Sequence, residues 1–83
     1  MKIAYLGWLR DKIGCVEEEV AVPAQVTNVG QLINWQKTRG ARYEDAFEFA
    51  EMIKTIVNQA YVHEDQPVSN DDEVIFMPPI GGG

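Results

Sequence analysis

The single histidine of the chain sits in "YVHEDQPV", where His63, Glu64 and Asp65 set a base beside two carboxylates. General acid–base catalysis needs such groups to reach one substrate proton together. Neighbours on an extended chain point apart, so the triplet converges on nothing, and no second histidine joins it to make a metal site. His63 therefore reads as an exposed residue at a strand end. The acidic runs "EEE", Glu17 to Glu19, and "DDE", Asp71 to Glu73, offer paired carboxylates, but such runs ordinarily form a solvated strand edge and a turn. Cys15 is the only cysteine, which excludes an internal disulfide or a cysteine-based metal cluster and reads as a half-buried free thiol. No nucleophile is paired with a base. Gly81 to Gly83 are not a phosphate loop, because no helix follows them to present its dipole.

The remaining unusual chemistry is in "VIFMPPIGGG". Pro78 and Pro79 fix their own φ angles and hold the residue before each in extended conformations, so the chain leaves straight and cannot fold back as a helix. From Pro79 to Gly83 an extended tail reaches roughly 14 Å, at about 3.3–3.6 Å per residue. Three glycines thread a channel too narrow for any other residue. The last reactive group is the Gly83 α-carboxylate, ionised at neutral pH with a reference pKa of about 3.5. A free carboxylate is a poor electrophile; joined to AMP it becomes a mixed anhydride that a sulfur or amine nucleophile attacks. A protein used in this way needs no catalytic residue of its own. The plain alternative is a frayed chain end without function.

The elements that must carry this tail follow from the hydrophobic pattern. Residues Lys2 to Trp8 alternate as a strand, with Ile3 and Tyr5 on one face and Ala4, Leu6 and Trp8 on the other. "LRDKIG" predicts one helical turn closed by Gly14, and "EEEVAVP" a second strand with Val20 and Val22 inward, completing an N-terminal hairpin. "TNVGQLINWQKTRG" carries the strongest helix signal. Asn28 caps, Gln31 stands three residues on as in a capping box, Val29, Leu32 and Ile33 share a face with Trp35 packed at its edge, and Gly40 suits the position past the end. "RYEDAFEFAEMI" predicts a second, shorter helix or a packed loop. "TIVNQAYV" predicts two strands about a turn at Asn58 and Gln59, and "SNDD" a turn before the final strand "EVIFM", with Val74 and Phe76 inward and Ile75 and Met77 outward. A hairpin, a long helix and further strands make an α+β domain over residues 1–77, with the tail at 78–83. The order resembles the ubiquitin-like β-grasp, in which the first and last strands lie parallel at the centre of a small mixed sheet.

At 83 residues the chain holds one domain with one core. Hydrophobic content of 46% with 24% charged residues is that of a folded domain. Seven Lys and Arg against thirteen Asp and Glu leave a net charge of −6, which disfavours nucleic acid and favours a basic protein partner. No stretch approaches transmembrane length, so the expectation is a soluble cytoplasmic protein without a membrane partner.

The ending "SNDDEVIFMPPIGGG" resembles the small, sulfur-carrier subunit of molybdopterin synthase, whose members finish with an acidic turn, a hydrophobic strand, two prolines and Gly-Gly. "LRDKIG", "VNQAYV" and "DQPVSNDDEV" look like family segments in the same order, so the resemblance covers essentially the whole chain. It implies a non-catalytic carrier with no bound cofactor. Its Gly83 carboxylate would be adenylated with ATP by a ubiquitin-activating-type enzyme and converted to a thiocarboxylate. Pro78, Pro79, Ile80, Gly81 and Gly82 would then insert into the large, catalytic subunit of a heterotetramer, delivering sulfur to the dithiolene of molybdopterin. By position, the partner-binding patch would comprise Leu6, Tyr61 and Met77; as individual residues they are also ordinary surface apolar groups. Two positions depart from the family pattern. Asp71 stands where glycine is frequent, which asks for a left-handed Asp or a different turn, and Gly81 stands where many members have a small side chain. A thiamine-pathway sulfur carrier and a ubiquitin-like modifier joined to lysines share such a tail, and a non-covalent acidic interaction module is the reading from a different class.

Overall fold

The structure, a computed structural model, describes residues 1–79. Its elements are β1 (Lys2–Tyr5), α1 (Gly7–Ile13), β2 (Glu17–Glu19), α2 (Val29–Lys37), α3 (Ala41–Ala46), a 3₁₀ turn at Ala50–Met52, β3 (Lys54–Val57), β4 (Ala60–Val62) and β5 (Glu73–Met77). The strands form one sheet in the order β2-β1-β5-β3-β4. β1 and β5 run parallel in register from Lys2 opposite Glu73 to Tyr5 opposite Phe76, and the other three pairings are antiparallel. This is the α+β, ubiquitin-like β-grasp arrangement.

Period-two alternation sends Ile3, Tyr5, Thr55, Val57, Val74 and Phe76 to one face, all of them buried, while Leu9, Ile13, Val29, Leu32, Ile33, Tyr43 and Phe47 complete the core from the helices and the loop after them. Phe47 meets Phe76 edge to face at 5.0 Å between ring centres. α2 begins where its cap predicts: the Asn28 side chain accepts from the Gln31 amide at 2.8 Å. Gln31 reaches back to the Thr27 amide at 2.7 Å, one residue earlier than in a standard capping box.

Three expectations need correcting. β1 stops at Tyr5, because Gly7 takes φ +57 and starts α1, so Trp8 lies on a helix rather than on the sheet. β2 ends at Glu19, before the valines expected in it. α2 ends at Lys37 with Thr38 as its cap, and Gly40 instead caps the start of α3. Of the two possibilities for Asp71 the structure has the different turn: Asp71 is not left-handed, and the Asp72 side chain accepts from the Ser69 amide at 2.8 Å.

The acidic run of β2 is a further correction, since Glu18 is no solvated edge residue. It pairs with Ile3 and so faces the core side. Its carboxylate receives a two-pronged bond from Arg39, Nη2 to Oε1 at 2.8 Å and Nη1 to Oε2 at 2.9 Å. The Tyr5 and Tyr43 hydroxyls also donate to Oε2, at 2.7 and 2.9 Å. Gln36 Nε2 donates to the buried Tyr5 hydroxyl at 2.7 Å, closing a network over β1, β2, α2 and α3. Burial pushes the Glu18 carboxyl up, but the bonds from Arg39, Tyr5 and Tyr43 outweigh it and hold the group down at about 2.

Folding holds this carboxyl below its ordinary value, so the unfolded chain takes up the proton first. The network's contribution is complete above pH 4.5 and is lost as pH falls from 4.5 towards about 2. We predict that Glu18→Ala lowers unfolding free energy by about 2–3 kcal/mol in urea titrations at neutral pH. Glu18→Gln, which keeps the shape without the charge, should flatten the acid limb of stability against pH; an unchanged limb would assign the acid sensitivity elsewhere.

Candidate functional site

The parallel pairing of β1 with β5 makes both strands end on one side of the sheet. Beyond Tyr5 and Phe76 the ladder gains one more bond, from the Leu6 amide to the Phe76 carbonyl at 3.1 Å. β1 then turns into α1 at Gly7, while β5 runs through Met77 into Pro78 and Pro79. Pro78 is buried although it lies past the strand, and Pro79 is half-buried. A Cβ placed on Gly7 would stand 2.8 Å from Pro78 Cγ and 3.4 Å from its Cδ, so the proline ring occupies the space a side chain would need. Ile80, Gly81, Gly82 and Gly83 lie outside the described residues.

The sheet face turned away from the helices carries a band of apolar side chains. Across its middle, Ala4, Ile75, Ile56 and Tyr61 stand opposite one another on β1, β5, β3 and β4. One step towards the exit, Met77 faces Lys54, and Leu6 follows Ala4 by the two residues that return a strand to the same face. Leu6 is 40% and Tyr61 68% exposed, while Ala4, Ile56, Ile75 and Met77 are half-buried only by their neighbours. Charge borders these residues: Glu17 stands opposite Ala4 on β2 and pairs with Lys2 at 3.4 Å, Lys54 stands opposite Met77, and at the far end the amino terminus pairs with Glu19 at 3.1 Å. The register thus brings Leu6, Tyr61 and Met77 onto one surface and adds Ala4, Ile56 and Ile75. Ile56 is outward by the alternation of Thr55, Ile56 and Val57 along β3.

Tyr61 is carried there by a two-residue hairpin in which Asn58 and Gln59 both have positive φ, 48° and 74°, the pattern of a type I′ turn. Asn58 is well suited to it. Its side chain donates to Asp72 Oδ1 at 2.9 Å and accepts from the Glu73 amide at 3.0 Å, tying the hairpin to the turn before β5.

The other candidate groups do not assemble. His63 is exposed directly after β4, and among the described residues no group of three His, Cys, Asp or Glu side chains could hold a metal. Cys15 is a half-exposed free thiol whose pKa burial pushes up, away from the reactive thiolate. A groove of about 770 Å³ between α2 and the β3–β4 edge mixes Lys37, Glu51, His63, Glu64 and Asp65 with apolar walls and presents no converging catalytic set. No helix among the described residues is long and apolar enough to cross a membrane.

Comparison with known proteins agrees with this geometry. The model of the ThiS family matches residues 3–83. The chain is 31% identical over 83 residues to the molybdopterin synthase sulfur carrier subunit of Escherichia coli, covering 100% of this chain and 99% of that one. Among solved structures, a Pyrococcus furiosus protein named for subunit 1 of molybdopterin converting factor superposes with a TM-score of 0.72 at 28% identity over 95% of each chain. SAMP1 of Haloferax volcanii superposes with a TM-score of 0.75 at 18% identity, over 100% of this chain and 98% of its own, a likeness of fold.

Gln59 has no side-chain bond among those of the described residues and holds a left-handed angle that costs an ordinary residue about 1–2 kcal/mol. Allowing for the extra freedom of an unfolded glycine, Gln59→Gly should stabilise the protein by about 0.5–1 kcal/mol. The measurement is a higher urea midpoint at unchanged slope; a lower midpoint contradicts the turn assignment.

Proposed function

The chain belongs to the ThiS family, and on that premise we propose that it is the sulfur carrier of molybdopterin synthesis, the small and non-catalytic partner of a large synthase subunit. The observation that carries this reading is the full-length likeness to the E. coli sulfur carrier subunit, at 31% identity through the last residue of this chain. The geometry supports it in two ways. The described residues offer an apolar sheet face for docking, and the strand that lies at the centre of the sheet leads directly into the Pro-Pro exit.

The proposed chemistry is located at the Gly83 carboxylate. An activating enzyme brings one carboxylate oxygen to the α-phosphorus of ATP, pyrophosphate leaves, and an acyl-adenylate remains. A sulfur nucleophile equivalent to hydrosulfide attacks the acyl carbon, AMP departs, and the terminus becomes a thiocarboxylate. In the large subunit the sulfur passes to a pterin precursor, and water restores the carboxylate. Adenylation and transfer are both catalysed by the partners. This chain supplies the docking face, Leu6, Tyr61 and Met77 with Ala4, Ile56 and Ile75, and the threading segment Pro78, Pro79, Ile80, Gly81 and Gly82. A cytoplasmic location, beside the ATP and the partners the chemistry needs, belongs to the same proposal.

Incubation with an activating enzyme, ATP and a sulfur source should change the intact mass by exchange of one oxygen for sulfur, and deletion of Gly83 should abolish the change. An unchanged mass with an enzyme competent on another carrier refutes the proposal, and an adduct on lysine would instead mark a protein modifier. In pulldowns with the large subunit, Leu6→Asp/Tyr61→Asp/Met77→Asp should weaken capture by at least about a hundredfold, roughly 2.8 kcal/mol. Capture equal to wild type removes the docking face from the proposal.

A further inference from the structure

Resting on the carrier reading, we infer that Gly7 is a positioning residue for sulfur delivery, acting through Pro78 to set the direction in which the tail leaves the sheet. The three described glycines with positive φ differ in what a side chain would meet. At Gly40 a Cβ meets nothing within 4 Å, and at Gly14 it meets only the end of the Arg42 side chain, at 3.1 Å. At Gly7 it meets a proline ring at 2.8 Å, and that ring belongs to the first residue of the exit. Carbon atoms in good contact stand about 3.5–4.0 Å apart, so a side chain at position 7 requires its Cβ and Pro78 Cγ to separate by roughly 1 Å.

The displacement has few ways to dissipate. Met77 is held by the ladder opposite Lys54. Pro78 has a fixed φ, and both Met77 and Pro78 are restricted to extended ψ because a proline follows each. The ladder, the fixed angles and the Gly7 seat together determine where Pro79 points. A change of roughly 1 Å at Pro78 therefore redirects the exit at Pro79, and a misplacement of that size arising away from the chemistry costs up to about a hundredfold in rate. Gly7 also has a local task, since φ +57 is the angle by which β1 turns into α1. Asparagine tolerates that angle but carries a Cβ, so it separates the two roles.

The test uses full-length protein bearing the thiocarboxylate, made by chemical ligation so that no activating enzyme is needed. It is mixed with the large subunit and pterin precursor. Two quantities are read: the Kd for the large subunit, and the single-turnover rate at which the intact mass loses sulfur. Gly7→Asn should keep Kd within about threefold of wild type and slow transfer at least tenfold. Pro78→Ala, which removes both contacting ring atoms and lies outside every strand and helix, should also slow transfer. The double variant should be no slower than the slower single variant, as expected when two residues act as one unit.

Transfer at the wild-type rate in Gly7→Asn overturns the inference. So do independent, multiplying effects of the two changes, or a rate loss matched by an equal loss of affinity. Failure of wild-type thiocarboxylate to react with large subunit and precursor is a different result and overturns the carrier reading itself. Independently of activity, the wild-type protein should show a nuclear Overhauser contact between the Gly7 α-protons and the Pro78 ring, and its absence removes the seat.

Discussion

The parallel pairing of β1 with β5 is the constraint on which the rest of this structure depends. Two parallel neighbours end on the same side, so Leu6 and Gly7 are brought beside Met77 and Pro78. An antiparallel pair would have placed the exit beside the amino terminus. Parallel neighbours also need a long crossover, and the whole of α1, β2, α2, α3, β3 and β4 lies within it. The pair is secured by burial. Ile3, Tyr5, Val74 and Phe76 are fully enclosed, each contributing about 1.5–3 kcal/mol relative to an exposed side chain. The segment leading to the tail is therefore anchored by a central strand whose inward side chains are fully buried.

The polar network at Glu18 performs a different task at the sheet's edge. β2 has three residues, all glutamate, so hydrophobic pattern alone does not specify its register. In the observed register Glu18 stands opposite Ile3 and its carboxylate meets Arg39, Tyr5 and Tyr43. A charge removed from water is tolerated where its bonds are complete, and the Glu18 carboxylate accepts from three side chains at once. The network thereby ties a strand that has no apolar residue of its own to β1, α2 and α3.

The sequence made the strands, the α2 cap and the sheet's two-sided alternation legible because each rests on local chemistry: a short polar cap, a period of two, a turn at Asn58 and Gln59. Boundaries set by tertiary contact were not. Leu6 and Trp8 continue the alternation of β1, and nothing local reveals that Gly7 breaks it to make room for Pro78. Glu18 looks identical to Glu17 and Glu19 until pairing with Ile3 gives it an inward direction. At the candidate site, Leu6, Tyr61 and Met77 follow from likeness to a family and the outward direction of Ala4, Ile56 and Ile75 from local alternation, whereas their alignment in one row with Tyr61 needs the cross-strand register. The tail from Ile80 to Gly83 lies outside the described residues, so the proposed chemistry there rests on sequence and kinship.

The two halves of the proposed function make opposite demands on the chain. A threading segment must be slender, and glycine is the residue that loses most freedom when ordered; fixing a backbone residue costs about 1–2 kcal/mol, so three glycines cost about 3–6 kcal/mol on insertion. Bare glycines have no side chains with which to recover that cost. It has to be offset by groups that bind elsewhere on the same rigid body, and binding energy from remote contacts can be used in this way to hold a reacting group in place. The outer sheet face is suited to that role. Leu6, Ile56, Tyr61, Ile75 and Met77 are left partly open to solvent, and completing the burial of side chains of this kind is worth up to about 1.5–3 kcal/mol each. The fold itself does not need them, since an antiparallel edge with one wet face is normally polar there. On the carrier reading, apolar residues that add little to the stability of the free domain offset the ordering of a tail that cannot bind for itself, and the short link through Met77 and Pro78 lets docking of the face also aim the terminus.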